Sequence, residues 1–131
     1  MMSLLVLLLA PLTIFGANVS SRDIRLDHQR QCSVLVDVMQ AEGGAFISKV
    51  DAGDAQALDC RGFMDAAGVP ITPFSERAYG REFGRVRFLG ADEALVRLND
   101  NCPLCGHGED LRVYRKGGRW VIVERWPTWI S

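Results

Sequence analysis

Four short runs of β-branched, aromatic and charged residues fill the second half of this chain and restrict the folds open to it. The runs are "GRVRFLG", "ALVRLND", "LRVYRK" and "RWVIVERW", and residues that favour turns separate them. Apolar and charged positions alternate within them, as where Arg87 stands between Val86 and Phe88. Such alternation is typical of strands that bury one face of a sheet and expose the other. The second half therefore predicts an antiparallel meander.

Gly117 and Gly118, between the last two runs, predict a tight hairpin with a defined register. Glycine readily adopts the positive φ angles that two-residue hairpin turns require. The register that follows pairs Val113 with Ile122, Tyr114 with Val121, and Arg115 with Trp120. We therefore expect Trp120 and Ile122 to face the core.

The first half of the chain predicts helices. Residues 27–42 place Leu35, Val38 and Met39 on one helical face, and a glycine pair at Gly43 stops the pattern. The run "SVLV" within this segment leaves a strand open as the alternative.

Between this helix and the meander the pattern is weaker. Residues 45–50 predict a short strand or a continuation of the helix, and residues 54–67 predict a short second helix. The prolines of "VPITPF" then interrupt regular structure. Together the two halves predict an α+β fold, with N-terminal helices packed on an antiparallel β-sheet.

The first seventeen residues contain no charged side chain, and an apolar run extends from Leu4 to Phe15. This run is shorter than the roughly 20 apolar residues that a membrane-spanning helix needs. We therefore expect residues 1–20 to be a signal peptide and residues 21–131 to form a single domain, secreted or periplasmic, without a stable membrane span after cleavage. An uncleaved anchor is the alternative, because the leader lacks Lys and Arg and its cleavage site is poorly defined.

Charge and motifs argue against several classes of function. The 15 Lys and Arg residues nearly balance the 16 Asp and Glu residues, so no surplus of positive charge indicates binding to nucleic acid. The chain contains no nucleophile elbow, phosphate-binding loop, dinucleotide fingerprint or H-E-x-x-H metal motif. We expect no nucleic-acid partner and no cofactor, and we assign no catalytic residue.

The chain has four cysteines: Cys32, Cys60, Cys102 and Cys105. In an oxidising compartment four cysteines predict two disulfides. Three pairings are possible, and the sequence does not choose between them. One of them, Cys102 with Cys105, would close a tight turn between two strands.

The stretch "NCPLCG" also matches two other kinds of site. Two cysteines at this spacing form zinc knuckles, and Cys102, Cys105 and His107 would supply three zinc ligands. The fourth ligand would have to come from elsewhere in the fold. A redox pair would need a helix to begin at the first cysteine, and Gly106 and Gly108 favour a loop instead. We therefore expect a disulfide and no metal, with zinc as the alternative.

The last hairpin carries a family resemblance. The run "YRKGGRWVIVERW" resembles the closing strands of the nuclear-transport-factor-like cone fold, which includes SnoaL-like proteins. Residues 86–131, ending "WPTWIS", also look like small exported bacterial proteins of unknown function. The cone-fold resemblance implies a curved sheet whose mouth hosts a ligand or catalysis, with aspartate and histidine on inner strand positions. From the sequence pattern we expect His28 to lie near the start of a helix and His107 to lie in a loop.

Aromatic residues supply the candidate pocket. Tyr114, Trp120 and Trp126 can line a pocket on the concave face of the sheet, since ligand pockets are predominantly apolar and aromatic. Packing in the core and at the sheet edge is the alternative. We therefore expect a small exported non-catalytic domain that binds a small apolar ligand or an envelope protein. The alternative is a small cone-fold enzyme with a pocket on the same concave face.

Overall fold

The computed structural model describes residues 20–43, 46–73, 75, 80–101 and 106–130. In chain order the elements are α1 (Ser21–Glu42), β1 (Phe46–Ser48), a 3-10 turn (Lys49–Ala52), α2 (Arg61–Ala66), β2 (Ile71–Pro73), β3 (Gly80–Gly90), β4 (Glu93–Asn101), β5 (His107–Lys116) and β6 (Arg119–Ile130). The strands form one sheet in the order β2-β1-β3-β4-β5-β6. The fold is α+β, as expected. The proposed signal peptide lies almost wholly outside the described residues.

Helix α1 begins six residues earlier than the sequence pattern predicts. Ser20 caps it by accepting a hydrogen bond of 3.1 Å from the backbone N–H of Asp23. Nearly all of residues 21–30 are exposed, so this part of the helix carries no apolar stripe for a pattern search to find. The helix ends where expected, at Gly43, whose φ of 73° favours glycine. The "SVLV" run is helical, which excludes the strand alternative.

The second half is the antiparallel meander that the alternation predicts, from β3 to β6. Two short strands extend it. Strand β1 matches the strand alternative for residues 45–50, whereas β2 and the parallel pairing of β1 with both β2 and β3 were not predicted. Strand β2 contains a proline, which its place at the edge of the sheet tolerates. The predicted second helix is reduced to α2, because the residues before it form turns and extended loop.

The predicted register of the last hairpin is confirmed. Val113 pairs with Ile122, Tyr114 with Val121, and Arg115 with Trp120. Gly117 and Gly118 form the turn with φ angles of 60° and 80°. Local turn chemistry therefore sets this pairing.

The core lies between α1 and the face of the sheet that α1 covers, which we call the inner face. Helix α1 contributes five buried residues to it: Cys32, Val34, Leu35, Val38 and Met39. Facing them are buried residues of β3 to β6: Val86, Ala94, Val96, Leu98, Leu111, Val113 and Trp120. Trp120 is only 5 % exposed, and Ile122 packs beside the cluster, so the prediction that both face the core is confirmed.

A disulfide joins Cys32 of α1 to Cys60, with their Cα atoms 5.4 Å apart. It ties the middle of the helix to the segment that leads into α2. Cys102 and Cys105 lie outside the described residues, in the connection between two antiparallel strands, β4 and β5. Of the helices that the structure describes, none has the length and apolar character needed to cross a bilayer.

Candidate functional site

A groove runs along β3, between this strand and the loop formed by residues 54–58. It has a smaller lobe of about 280 Å³ beside β1 and a larger, more open lobe of about 850 Å³ that extends toward α1. The two lobes share four lining residues: Gln56, Ala57, Leu58 and Arg85. We call this feature the β3 groove.

The loop that forms one wall of the groove is fixed by local contacts. Gly53 ends the 3-10 turn with a φ of 76°. The carboxylate of Asp54 then accepts a hydrogen bond of 2.9 Å from the backbone N–H of Gln56, and its carbonyl accepts one of 3.1 Å from Ala57. The far end of the loop is held by the disulfide at Cys60. The wall is therefore anchored at both ends.

The other wall is β3, whose geometry departs from a regular strand at this point. A bulge lies between Phe83 and Val86, where the register with β4 shifts. Gly84 lies within the bulge, and a Cβ atom there would stand only 3.3 Å from Cβ of Arg97 on β4. On its other side β3 pairs with β1 only through Arg81, so most of this edge has no neighbour among the described strands.

Four of the eight charged side chains that line the groove pair with one another. Lys49 forms an ion pair of 2.7 Å with Glu82, and Arg97 forms one of 3.0 Å with Asp110. The hydrogen bond and charge of Asp110 hold the pKa of Arg97 above its usual value.

Two other arginines of the groove have no such pairing among the described residues. Arg85 and Arg87 are exposed, and neither forms an ion pair or side-chain hydrogen bond with another residue that the structure describes. They are the groove cations available to a ligand.

A second charged feature lies at the end of the inner face where α1 stops. Six side chains from five elements form a closed circuit of ion pairs and, at His107, imidazole–carboxylate contacts, which we call the ion-pair ring: Glu42, Arg81, Asp100, His107, Glu109 and Arg125. Each member contacts the next, so the ring ties the last turn of α1 to β3, β4, β5 and β6.

Glu42 is the most buried member of the ring, with its side chain 9 % exposed. Oε2 lies 2.7 Å from Nη1 of Arg81, and Oε1 accepts a hydrogen bond from Arg125. Burial, the largest single effect, raises the pKa of Glu42. The hydrogen bonds and charges of the two arginines together outweigh burial, so the net pKa is lowered.

His107 belongs to the ring and not to a loop. It is the first residue of β5, and its Nε2 lies 3.2 Å from Oδ2 of Asp100 and 3.8 Å from Oε1 of Glu109. The other histidine, His28, contacts the backbone carbonyl of Asp59 through its Nε2 at 2.7 Å. The predicted partners of His107 in a zinc site, the two cysteines of "CPLC", lie outside the described residues.

The ring was missed at the sequence level although a signal for it exists. Alternation along β4 continues from buried Leu98 to Asp100, and alternation along β5 runs back from buried Leu111 to Glu109 and His107. These positions therefore share the inner face with the core. Following the alternation into the charged residues would have placed three members of the ring together.

The structure does not bring the three predicted pocket residues together. Trp120 is buried on the inner face, where its ring centre lies 6.0 Å from that of Phe88. Tyr114 points to the opposite face, where its hydroxyl lies 3.2 Å from Glu93. Trp126 is 37 % exposed and stands opposite Asp110 on that same outer face. Strand alternation separates Trp120 from Tyr114, and the register shift of β6 between Ile122 and Glu124 turns Trp126 to the outer face as well.

Within the described ranges, no three His, Cys, Asp or Glu side chains are arranged to hold a metal ion. In comparisons with known proteins, no family model matches this chain, and neither a curated protein nor a solved structure matches it.

Proposed function

We propose that this protein is an exported, non-catalytic binding domain whose ligand lies in the β3 groove. The proposal rests on the open space between β3 and the anchored loop of residues 54–58. The inner face, where an apolar ligand was expected, is occupied by α1. The larger lobe of the groove, at about 850 Å³, has the size of known ligand sites, which enclose about 300–1,000 Å³.

The lining of the groove supports a ligand with both apolar and charged parts. Leu58, Phe83 and Phe88 supply partly buried apolar surface. Arg85 and Arg87 supply positive charge that no described side chain neutralises. Apolar area gives binding energy, and a few charged groups give orientation.

The pairing of other charged groups in the groove favours a binding role over catalysis. Lys49 and Arg97 are already paired with carboxylates inside the groove. A general acid or base must reach a substrate proton, and a group held in such a pair is directed at its partner instead.

Export is supported by the charge-free apolar leader and by the buried disulfide between Cys32 and Cys60. Disulfides of this kind persist in the extracellular space and the periplasm and are rare in the cytosol. We expect mature protein to lack roughly its first 20 residues. N-terminal sequencing that begins at Met1 or Met2 would contradict cleavage and favour an anchor.

The groove itself is tested by nuclear magnetic resonance. A panel of small amphipathic compounds and short peptides, titrated into isotope-labelled protein, should shift the amides of residues 54–58 and 82–88 before others. Ala57→Trp, which places an indole between the walls, should abolish those shifts. The control is Ala66→Trp, at an exposed position at the end of α2, which should leave them unchanged. Shifts that survive Ala57→Trp would place the ligand elsewhere.

A cone-fold enzyme is the second candidate, and one observation favours it. Asp100 and His107 form a carboxylate–imidazole pair on inner strand positions, which is where the cone-fold resemblance implies catalytic groups. His107→Ala should then abolish turnover of a substrate whose binding shifts the amides of residues 100 and 107. Asp100→Asn should lower the turnover number while the Michaelis constant changes less, since Asp100 would orient the imidazole and not bind substrate.

A further inference from the structure

We infer that the ligand of the β3 groove is an extended peptide in which acidic and apolar side chains alternate, and that it binds by adding a strand to β3. This inference rests on the proposed function, because it takes the groove to be the binding site. An extended peptide that joins an open sheet edge gains affinity from backbone hydrogen bonds and specificity from its alternate side chains.

Residues 84–89 of β3 form an open stretch of sheet edge among the described residues. At the opposite side, α1 covers the start of β6: the backbone N–H of Trp120 donates to Asp37 at 2.9 Å, and the side chain of Arg119 donates to Gln40 at 2.9 Å. Pro127 further interrupts β6, because proline has no N–H to donate. Along residues 84–89 of β3, by contrast, no strand of the described ranges pairs on the side away from β4.

The length of the open edge determines the length of the peptide. Six residues at about 3.3 Å each extend over roughly 20 Å, which suits a peptide of five or six residues. The larger lobe of the groove follows this edge, and its lining includes Arg85, Val86, Arg87 and Phe88. The peptide therefore lies within the groove and contacts the sheet along its length.

The side chains of β3 determine the chemistry of the peptide. Alternation places Arg85 and Arg87 on the outer face and Val86 and Phe88 on the inner face. A strand added beside β3 places its own alternate side chains next to these two sets. Opposite charges in neighbouring strands attract, so carboxylates belong beside the arginines and apolar side chains beside the valine and phenylalanine.

The lining opposite β3 disfavours a peptide whose acidic side chains point away from Arg85 and Arg87. Asp27 on α1 and Asp54 on the loop add negative charge to the lining on elements other than β3. An acidic side chain directed at that lining is repelled, and one directed at Arg85 and Arg87 is attracted. This difference favours acids on the face of the peptide that lies beside Arg85 and Arg87.

The test uses synthetic octapeptides and the oxidised protein as expressed. The first peptide alternates Glu and Val, the second alternates Lys and Val, and the third has the first sequence with alternate backbone nitrogens methylated. Affinity is measured by fluorescence anisotropy, and the site is mapped by amide shifts. We expect the acidic peptide to bind and to shift residues 84–89. N-methylation, which removes strand hydrogen bonds and keeps the charge, should weaken binding at least roughly tenfold.

Charge reversal provides the matched variants. Arg85→Glu with Arg87→Glu should weaken the acidic peptide roughly tenfold and strengthen the Lys peptide. The control is Arg115→Glu with Lys116→Glu, which makes the same change in net charge at two exposed positions on β5. It should leave both affinities unchanged.

The outcomes separate this inference from the proposed function. If neither the peptides nor the small-compound panel shift residues 54–58 and 82–88, the groove is not the binding site and both proposals fail. If the Lys peptide or a small compound shifts them and the acidic peptide does not, the proposed function stands and the peptide inference is wrong. Equal binding of the methylated and unmethylated peptides overturns strand addition. Self-association that protects residues 84–89 would assign the edge to a second copy and overturn the inference as well.

Discussion

The carboxylate of Asp37 accepts a hydrogen bond of 2.9 Å from the backbone N–H of Trp120. Asp37 lies on α1 and Trp120 on β6, the last strand of the sheet, so this contact joins helix to sheet edge. It also satisfies an amide that would otherwise point away from the sheet without a partner.

Asp37→Ala should lower the free energy of unfolding by about 1–2 kcal/mol, because it leaves a partly buried N–H unpaired. Asp37→Asn is the matched control, since its amide oxygen can still accept the bond, and it should cost clearly less. Denaturant melts of the two variants measure the difference. Equal losses would show that the charge of Asp37, and not the acceptor, matters.

Trp120→Ala should cost about 3–5 kcal/mol, because it removes a large buried side chain and leaves a cavity beneath α1. Trp126→Ala is the control on the same strand. Trp126 is 37 % exposed, and we expect a loss below about 1 kcal/mol there. The same melts measure both. A small loss at Trp120 would mean that the inner face of β6 is assigned wrongly.

Glu42→Gln should lower stability by about 2 kcal/mol, because two arginines lose the charge of the carboxylate that they share. Glu124→Gln makes the same chemical change at a side chain that is 56 % exposed and pairs with Arg112. We expect that control to cost no more than about 0.5 kcal/mol, as exposed ion pairs contribute little. Equal effects would show that the ion-pair ring adds nothing beyond a surface contact.

The pH dependence of stability follows from the same carboxylate. The pKa of Glu42 is lower in the folded protein than in the unfolded chain, so its ionised form favours folding. Its contribution is therefore complete above the ordinary glutamate pKa of about 4.3 and is lost as pH falls through the lower folded value. Stability measured from about pH 6 down to about pH 3, an interval that contains the ordinary carboxylate pKa values, should fall less steeply in Glu42→Gln than in the wild type. Parallel curves would contradict this assignment.

The cysteines give a prediction with its own internal control. Cys32→Ala with Cys60→Ala should cost about 3–4 kcal/mol, because that disulfide closes a loop with a sequence separation of 28. Cys102→Ser with Cys105→Ser should leave the domain folded, since a disulfide between those two would close only a short loop.

Thiol counting and elemental analysis on the wild-type protein distinguish the alternatives for Cys102 and Cys105. We expect no free thiol and no zinc. One zinc per chain together with two free thiols would establish the metal site instead.

Local sequence was sufficient for the elements whose geometry depends on near neighbours. The register of β5 and β6 follows from Gly117 and Gly118, because a two-residue turn leaves one way to pair the strands. The end of α1 follows from Gly43 for a similar reason. The start of α1 was also encoded locally, by Ser20 three residues before Asp23, but an exposed helical turn has no apolar periodicity to reveal it.

Tertiary structure alone decided the rest. The choice of Cys60 as the partner of Cys32 depends on how α1 packs over the segment before α2. The ion-pair ring joins Glu42 to Arg125 across 83 positions of the chain, and no local propensity can specify such a contact. The β3 groove likewise exists because β1 pairs with β3 at one residue only, which leaves an edge open beside an anchored loop. Short-range preferences determine turns and helix ends, whereas sites made of distant residues depend on the packing of helix against sheet.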